Sequence, residues 1–357
     1  MIHDLHITNY RAFEQIRVDP LKRVNLIVGA NNAGKTSLLE AIYLLATQDK
    51  PNSLTLILQE RGEFLSDVQE PRRGRSNPNQ TPLNQIEGYL IAQLFHDRTS
   101  GAHLPIKIQS TLPPTTLSLF LGNGEDKRGH NHNLTFEVVT GVAGSKVEKW
   151  EVENSLLRSF SQFKRGLSLT DNVQFITTNH LDYAEIATVW DKIVLTPSEE
   201  DVVDVLRLIE PAIERISFTG GRTSHSGVLV RLRGEETPVP LDSMGDGVRR
   251  ILAISIALVS IGHGTLLIDE IDTGLYYTAL KDMWRVVLET AVKQDAQVFA
   301  TTHSWDCVKA FQQALSQSAH RDQGSLIRLD RGGNQIKVTT YTAAELDIAI
   351  AQGIEVR

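Results

Sequence analysis

The run Gly29-Ala30-Asn31-Asn32-Ala33-Gly34-Lys35-Thr36 fits the pattern G-x-x-x-x-G-K-[ST]. Before it, Val24-Asn25-Leu26-Ile27-Val28 is apolar and reads as a buried strand; after it, Ser37-Leu38-Leu39-Glu40-Ala41-Ile42-Tyr43-Leu44-Leu45-Ala46 reads as a helix. Strand, glycine loop and helix in that order are the setting in which the pattern becomes a phosphate-binding loop. Backbone N–H groups and the positive end of the helix converge where a polyphosphate fits. Gly29 and Gly34 permit backbone angles and a close approach that a Cβ would obstruct. Lys35 supplies a charge for the β- and γ-phosphates, and the Thr36 hydroxyl is placed to ligate Mg²⁺. The expected ATP-binding set is Gly29, Ala30, Asn31, Asn32, Ala33, Gly34, Lys35, Thr36 and Ser37.

Working outward, 357 residues are enough for one large domain or two ordinary ones, and 41% hydrophobic with 22% charged residues is the composition of a globular protein. Basic residues number 36 and acidic ones 43, so the net charge is −7. That balance argues against nonspecific nucleic-acid binding by the chain as a whole, while leaving room for a local basic face. The single cysteine, Cys307, excludes a disulfide framework within the chain and agrees with a reducing compartment. No basic region followed by an apolar stretch opens the sequence, and its longest apolar run, Ile251 to Ile261, is too short to span a bilayer. The expectation is a cytoplasmic protein without a membrane partner.

Leu5–Phe13 followed by Gln15–Val18 alternates like a hairpin. Arg61 to Gln85 is polar, contains Pro71-Arg72-Arg73-Gly74-Arg75, and reads as a mobile loop. From Gly88 to Thr178 the pattern predicts an antiparallel series of short strands: Tyr89–Phe95, Ile106–Ser110, Thr116–Leu121, Leu134–Val139, Val147–Val152 and Val173–Thr177, with a helix near Asn154–Lys164. Residues 181 to 215 read as helices, including Glu199–Leu208 and Ile209–Ile216 with a break at Pro211. Short strands at Ile216–Phe218 and Val228–Leu232 come next, then a long apolar helix, Val248–Ile261. Strands at 265–268, 297–300, 326–329 and 335–341 alternate with helices at 275–292 and 305–315, and a short helix near 343–351 follows; this alternation argues for an α/β core sheet.

Three further motifs carry chemistry. Thr265-Leu266-Leu267-Ile268-Asp269-Glu270 is an apolar strand ending in two carboxylates, the Walker B pattern. Asp269 is suited to hold Mg²⁺ and Glu270 to orient and polarise the attacking water. Gln297–Ala300, a second apolar strand, ends in Thr301-Thr302-His303-Ser304, which sets His303 at the carboxyl end of the sheet, within reach of the γ-phosphate or the water. Lys35, Glu270 and His303 form the expected catalytic set. The third motif, Ser243-Met244-Gly245-Asp246-Gly247 ahead of an apolar helix, joins a hydroxyl, glycine amides and a helix N-terminus into an anion site. One chain does not need a second γ-phosphate site of this kind, so Ser243 and Gly245 are expected to close on the nucleotide of a second copy.

Phosphate loop, signature-like loop, Walker B strand and strand-plus-histidine follow one another as in ABC-type ATPases. Ile7-Thr8-Asn9-Tyr10-Arg11-Ala12-Phe13 and Met244-Gly245-Asp246-Gly247-Val248-Arg249-Arg250 resemble the RecF/OLD/SMC branch rather than transporters. The sequence is identified as similar to the AAA15-type, OLD-like ATPases, over most of its length. The resemblance implies an ABC-type P-loop ATPase head, α/β in class, with an antiparallel β subdomain and a helical signature lobe. It divides into 1–178 with the phosphate loop and β part, 179–262 with the signature lobe, and 263–357 with the Walker B and histidine elements. It also implies ATP and Mg²⁺ as ligands, ATP-driven pairing of two heads, an effector protein in trans, and a nucleotide contact by Arg11. Two positions depart from the pattern or are weakly matched. Tyr276-Tyr277 follow Gly274-Leu275 where the family usually has histidine, and Gln174 is the glutamine-loop candidate. No Glu plus Asp-x-Asp constellation follows His303, so no Toprim nuclease is expected. The prolines and turns of 51–240 exclude long coiled-coil arms. Competing readings are a RecF-like DNA-binding repair ATPase, for which Arg72–Arg75, Arg231 and Arg233 leave room, and a nucleotide-gated scaffold with negligible turnover.

Overall fold

The computed structural model describes the chain apart from residues 48–49, 67–86, 90, 97–103, 124–131, 141–145, 153–167, 171, 178–182, 208, 220–226 and 334. In chain order the described elements begin with β1 (Leu5–Tyr10), β2 (Phe13–Val18), β3 (Val24–Gly29), α1 (Lys35–Ala46), α2 (Lys50–Glu60), β4 (Phe64–Ser66) and β5 (Glu87–Tyr89). Then come β6 (Ile106–Thr111), β7 (Pro114–Asn123), β8 (His132–Thr140), β9 (Lys146–Val152), β10 (Ser168–Thr170) and β11 (Val173–Ile176). Helices α3 (Tyr183–Ile193) and α4 (Pro197–Arg207) lead to β12 (Ile213–Thr219), β13 (Gly227–Leu232), β14 (Val239–Pro240) and α5 (Asp246–Ser260). The rest is β15 (Thr265–Ile268), α6 (Tyr277–Lys293), β16 (Gln297–Thr301), α7 (Trp305–Gln317), β17 (Gly324–Gly332), β18 (Gln335–Thr342) and α8 (Ala343–Ala351).

The phosphate-loop strand lies inside a seven-stranded sheet of order β10-β11-β15-β16-β3-β17-β18. Its five inner strands run parallel, and β10 and β18 pair antiparallel at the edges. Strands covered on both faces must be apolar at every position, and β3, β15 and β16 are buried throughout. Their side chains alternate between two cores. Leu26, Leu266, Ile268, Val298 and Ala300 join the helices α3 to α7, while Ile27, Leu267 and Phe299 join α1, α2 and the first hairpin.

A six-stranded antiparallel sheet, β2-β1-β6-β7-β8-β9, provides the second layer. Helix α1 is wedged between the two sheets. All its residues from Ser37 to Leu45 are buried, which is why apolar residues fall on every side of it and not in one stripe. Helix α7 starts at Ser304, whose Oγ accepts the Cys307 N–H at 3.2 Å, and α8 starts at a capping box formed by Thr342 and Glu345. Among the described residues no helix is long and apolar enough to cross a membrane.

Several expectations from the sequence are corrected. Tyr89–Phe95 is not one strand: β5 ends at Tyr89, and Ile91–Leu94 forms a 3₁₀ turn. Residues 173–176 do not extend the antiparallel series; β11 runs parallel to β15 in the core sheet, where full burial on both faces removes the alternation that would have marked it. The predicted helix at Ile209–Ile216 is absent, because the chain turns at Pro211 and continues as β12 from Ile213. Pro71–Arg75 and the expected helix at Asn154–Lys164 lie outside the described residues.

Candidate nucleotide-hydrolysis site

The phosphate loop joins β3 to α1 on backbone angles that only glycine adopts freely. Gly34 has φ +96°, and a Cβ there would stand 2.8 Å from the Phe13 ring; at Gly29 one would stand 2.4 Å from the Leu329 carbonyl oxygen. Lys35 Nζ donates to the carbonyls of Gly29 at 2.8 Å and Ala30 at 3.1 Å, which curls it over the loop. Burial lowers the Lys35 pKa, and the negative charges of Asp269 and Glu270 oppose that shift. Arg331, at the end of β17, donates to the Asn32 carbonyl at 3.4 Å.

Parallel register sets the carboxylates beside this loop. Ile268 stands opposite Ala300, so the next residues, Asp269 and Thr301, are neighbours at the carboxyl end of the sheet. Asp269 accepts from Thr36 Oγ1 at 3.0 Å and from Thr301 Oγ1 at 2.5 Å. The same Thr301 hydroxyl accepts the Glu270 N–H at 2.8 Å. Glu270 has φ +49°, uncommon outside glycine, which turns its carboxylate out of the strand line. Thr273 Oγ1 donates to Glu270 Oε2 at 3.3 Å, and His303 Nδ1 lies 3.8 Å from Glu270 Oε1. The His303 and Glu270 side chains are 58% and 41% exposed, open to a ligand and to water.

The hydroxyl of Thr36 and the carboxylate of Asp269, already in contact, are hard oxygen donors of the kind Mg²⁺ prefers. Among the described residues there is no cluster of three or more His, Cys, Asp or Glu that could hold a metal. Thr36 and Asp269 would be the protein's contribution to an Mg²⁺ site.

The signature-like loop forms a 3₁₀ turn over Leu241–Met244. Ser243 is exposed, and its Oγ donates to the Pro240 carbonyl at 2.6 Å; it does not cap α5. No side chain caps that helix at Gly245, whose own N–H donates to the Asp242 carbonyl at 3.5 Å. Gly247 lies against the turn after Walker B, where a Cβ would stand 2.4 Å from the Gly274 carbonyl oxygen. Met244–Val248 and Gly274–Tyr276 thus line one open cleft of about 610 Å³. At its edge Tyr276 and Tyr277 are exposed, their ring centroids 4.6 Å apart.

Two expected positions hold protein partners in this structure. Arg11 is buried and faces Glu40 at 2.8 Å and Glu63 in a two-pronged pair at 2.8 and 3.0 Å. Burial would lower its pKa, but Tyr10, Glu40 and Glu63 together raise it. Gln174 sits mid-strand in β11 and donates to Ser260 Oγ at 3.1 Å, on the α5 side of the sheet. Sequence reasoning missed Thr301, and also Asp272, whose Oδ1 accepts from Thr302 Oγ1 at 2.6 Å and so anchors the residue before His303. The signal available was two threonines following a fully apolar strand.

The family described as "AAA domain, putative AbiEii toxin, Type IV TA system" matches residues 117–306, more than half of the chain, and that described as "AAA ATPase domain" matches residues 1–94. This chain belongs to the AAA ATPases of the ABC/RecF/SMC superfamily. It is 21% identical over 368 residues to an ATP/GTP phosphatase of Helicobacter pylori, covering 97% of each chain. It is 25% identical over 312 residues to the DNA replication and repair protein RecF of Shewanella loihica, covering 76% of this ATPase and 82% of the relative. Among solved structures, an SMC head bound to the C-terminal winged-helix domain of ScpA superposes with a TM-score of 0.52 at 12% identity, over 98% of this chain and 99% of that one. That likeness is one of fold: an ABC-type P-loop ATPase head.

Proposed function

We propose that this ATPase is a switch that pairs head to head around Mg-ATP and controls a separate effector, in defence against phage or in DNA maintenance. The observation that carries the reading is the linkage of Thr36, Asp269, Thr301 and Glu270 at one end of the sheet, beside an uncapped signature helix that opens outward. In this reading the loop amides and Lys35 bind the β- and γ-phosphates. Thr36 and Asp269 would hold Mg²⁺, which neutralises charge on the phosphate oxygens when bound. Glu270 takes a proton from the attacking water, and His303 contacts the γ-phosphate from the next strand. Ser243 and Gly245, at the N-terminus of α5, reach the γ-phosphate held by the other copy, with Tyr276 and Tyr277 on the pairing face. The match to a family of toxin–antitoxin ATPases supports a defence role.

Ser243→Arg tests the pairing. ATP should still bind the phosphate loop, since the Ser243 hydroxyl donates to the Pro240 carbonyl and not to that loop. The added bulk and charge should prevent closure, so hydrolysis falls and Mg-ATP no longer drives association of Glu270→Gln chains, read by light scattering. ATP-promoted association that survives Ser243→Arg unchanged removes the signature loop from the site.

The second reading, a DNA-binding repair ATPase, is favoured by the RecF relative. Duplex-DNA affinity that falls steeply with salt would favour it over effector control. Within the described residues Arg231 and Arg233 both lean toward Glu214, at 3.5 and 3.8 Å, which reduces the positive face they offer.

A further inference from the structure

Arg250 lies little more than one turn into α5, counted from the signature loop, and is 6% exposed. Among the described residues it makes no ion pair. Its Nη1 donates to the Thr177 carbonyl at 2.7 Å, just beyond β11, and its Nη2 donates to the carbonyls of Asp269 at 2.5 Å and Glu270 at 3.4 Å. Its Nε is buried and has no hydrogen-bond partner among the described residues. A guanidinium keeps its charge at neutral pH even where burial opposes it.

A charge buried among backbone carbonyls is an expensive way to fill space, since an apolar side chain of similar volume packs there without a desolvation cost. The guanidinium fork does what no apolar group can. It ties the carboxyl ends of two neighbouring strands, β11 and β15, at the residue where the backbone leaves the strand with φ +49°. The direction in which the Glu270 carboxylate leaves the sheet follows from how those carbonyls are held. Thr301 fixes the amide side of Glu270, and Arg250 fixes the carbonyl side.

We propose that Arg250 is a positioning residue for hydrolysis: its guanidinium holds the Asp269–Glu270 backbone so that the Glu270 carboxylate meets the attacking water. The proposal rests on Glu270 as the base. It predicts that turnover, and not nucleotide binding, depends on Arg250. It also gives the helix behind the signature loop a direct grip on the catalytic turn.

The test uses the full chain with Arg250→Met, Arg250→Lys, Glu270→Gln and the double variant Arg250→Met/Glu270→Gln. Readouts are kcat and KM for ATP, the ATP dissociation constant by calorimetry, and the thermal midpoint. Arg250→Met should bind ATP within about twofold of wild type and lose about 100-fold in kcat, the scale of a small misalignment of a catalytic group. Arg250→Lys should recover part of that loss and remain about tenfold below wild type, because an ammonium cannot span two strands as the fork does. The double variant should be no slower than Glu270→Gln, because both changes strike one step. Should Arg250→Met fail to fold, Arg250→Lys decides the matter on the same split between kcat and affinity. A kcat at wild-type level in either folded variant, an equal loss in ATP affinity, or a full additional loss in the double variant overturns the proposal. A fast Glu270→Gln enzyme removes the base itself; a slow one beside fully active Arg250 variants removes only the role given to Arg250.

Discussion

Glu270→Gln is expected to hydrolyse ATP about 10²- to 10⁴-fold more slowly than wild type while still binding Mg-ATP, the range general-base groups contribute. The amide keeps the shape of the side chain and its reach to the Thr273 hydroxyl, 3.3 Å away, but cannot take up a proton. The backbone turn that aims it is held independently, through the amide by Thr301 and through the carbonyls by Arg250, so the fold should not register the change. Steady-state turnover and calorimetric ATP binding on the same preparation check this. Turnover close to wild type would move the base elsewhere, with His303, 3.8 Å from Glu270, the first group to test.

Lys35→Ala is expected to weaken ATP binding by roughly 10²-fold, since a charge-assisted hydrogen bond is worth up to about 3 kcal/mol. In the free protein Lys35 donates to the carbonyls of buried Gly29 and exposed Ala30, so the substitution removes two hydrogen bonds within the loop as well as the charge that meets the phosphates. Calorimetric titration with ATP reads the effect. An unchanged dissociation constant would remove the phosphate loop from the binding site. The two substitutions separate cleanly: one removes affinity, the other leaves affinity and removes chemistry.

The candidate site was legible where its signals are local. Gly29–Thr36 carries its meaning in spacing, because a loop between an apolar strand and a helix needs no distant residue to form. Asp269 and Glu270 are legible for the same reason, as charges ending a run that is buried throughout. His303 was found from its place after the next apolar strand, and the structure brings it beside Glu270. Arg11 was not legible: from the sequence it is one more polar residue after a strand. Its partners Glu40 and Glu63 come from α1 and from the stretch after α2, so its orientation is a property of packing.

The sequence by itself determined the order of elements and the chemistry at each strand end, because alternation, glycine spacing and terminal charges act over a few residues. Strand neighbours were decided only by the tertiary structure. Residues 173–176 read like the antiparallel strands before them, yet they pair in parallel with 265–268. That choice carries Thr177 to the Walker B turn and gives Arg250 its carbonyl clamp. Likewise, the pairing of 265–268 with 297–300 makes Thr301 the shared partner of Asp269 and Glu270. Parallel neighbours are joined by long crossovers, so no local pattern records which strands will meet. Burial of both sheet faces selects that arrangement, and the backbone hydrogen bonds then fix its register.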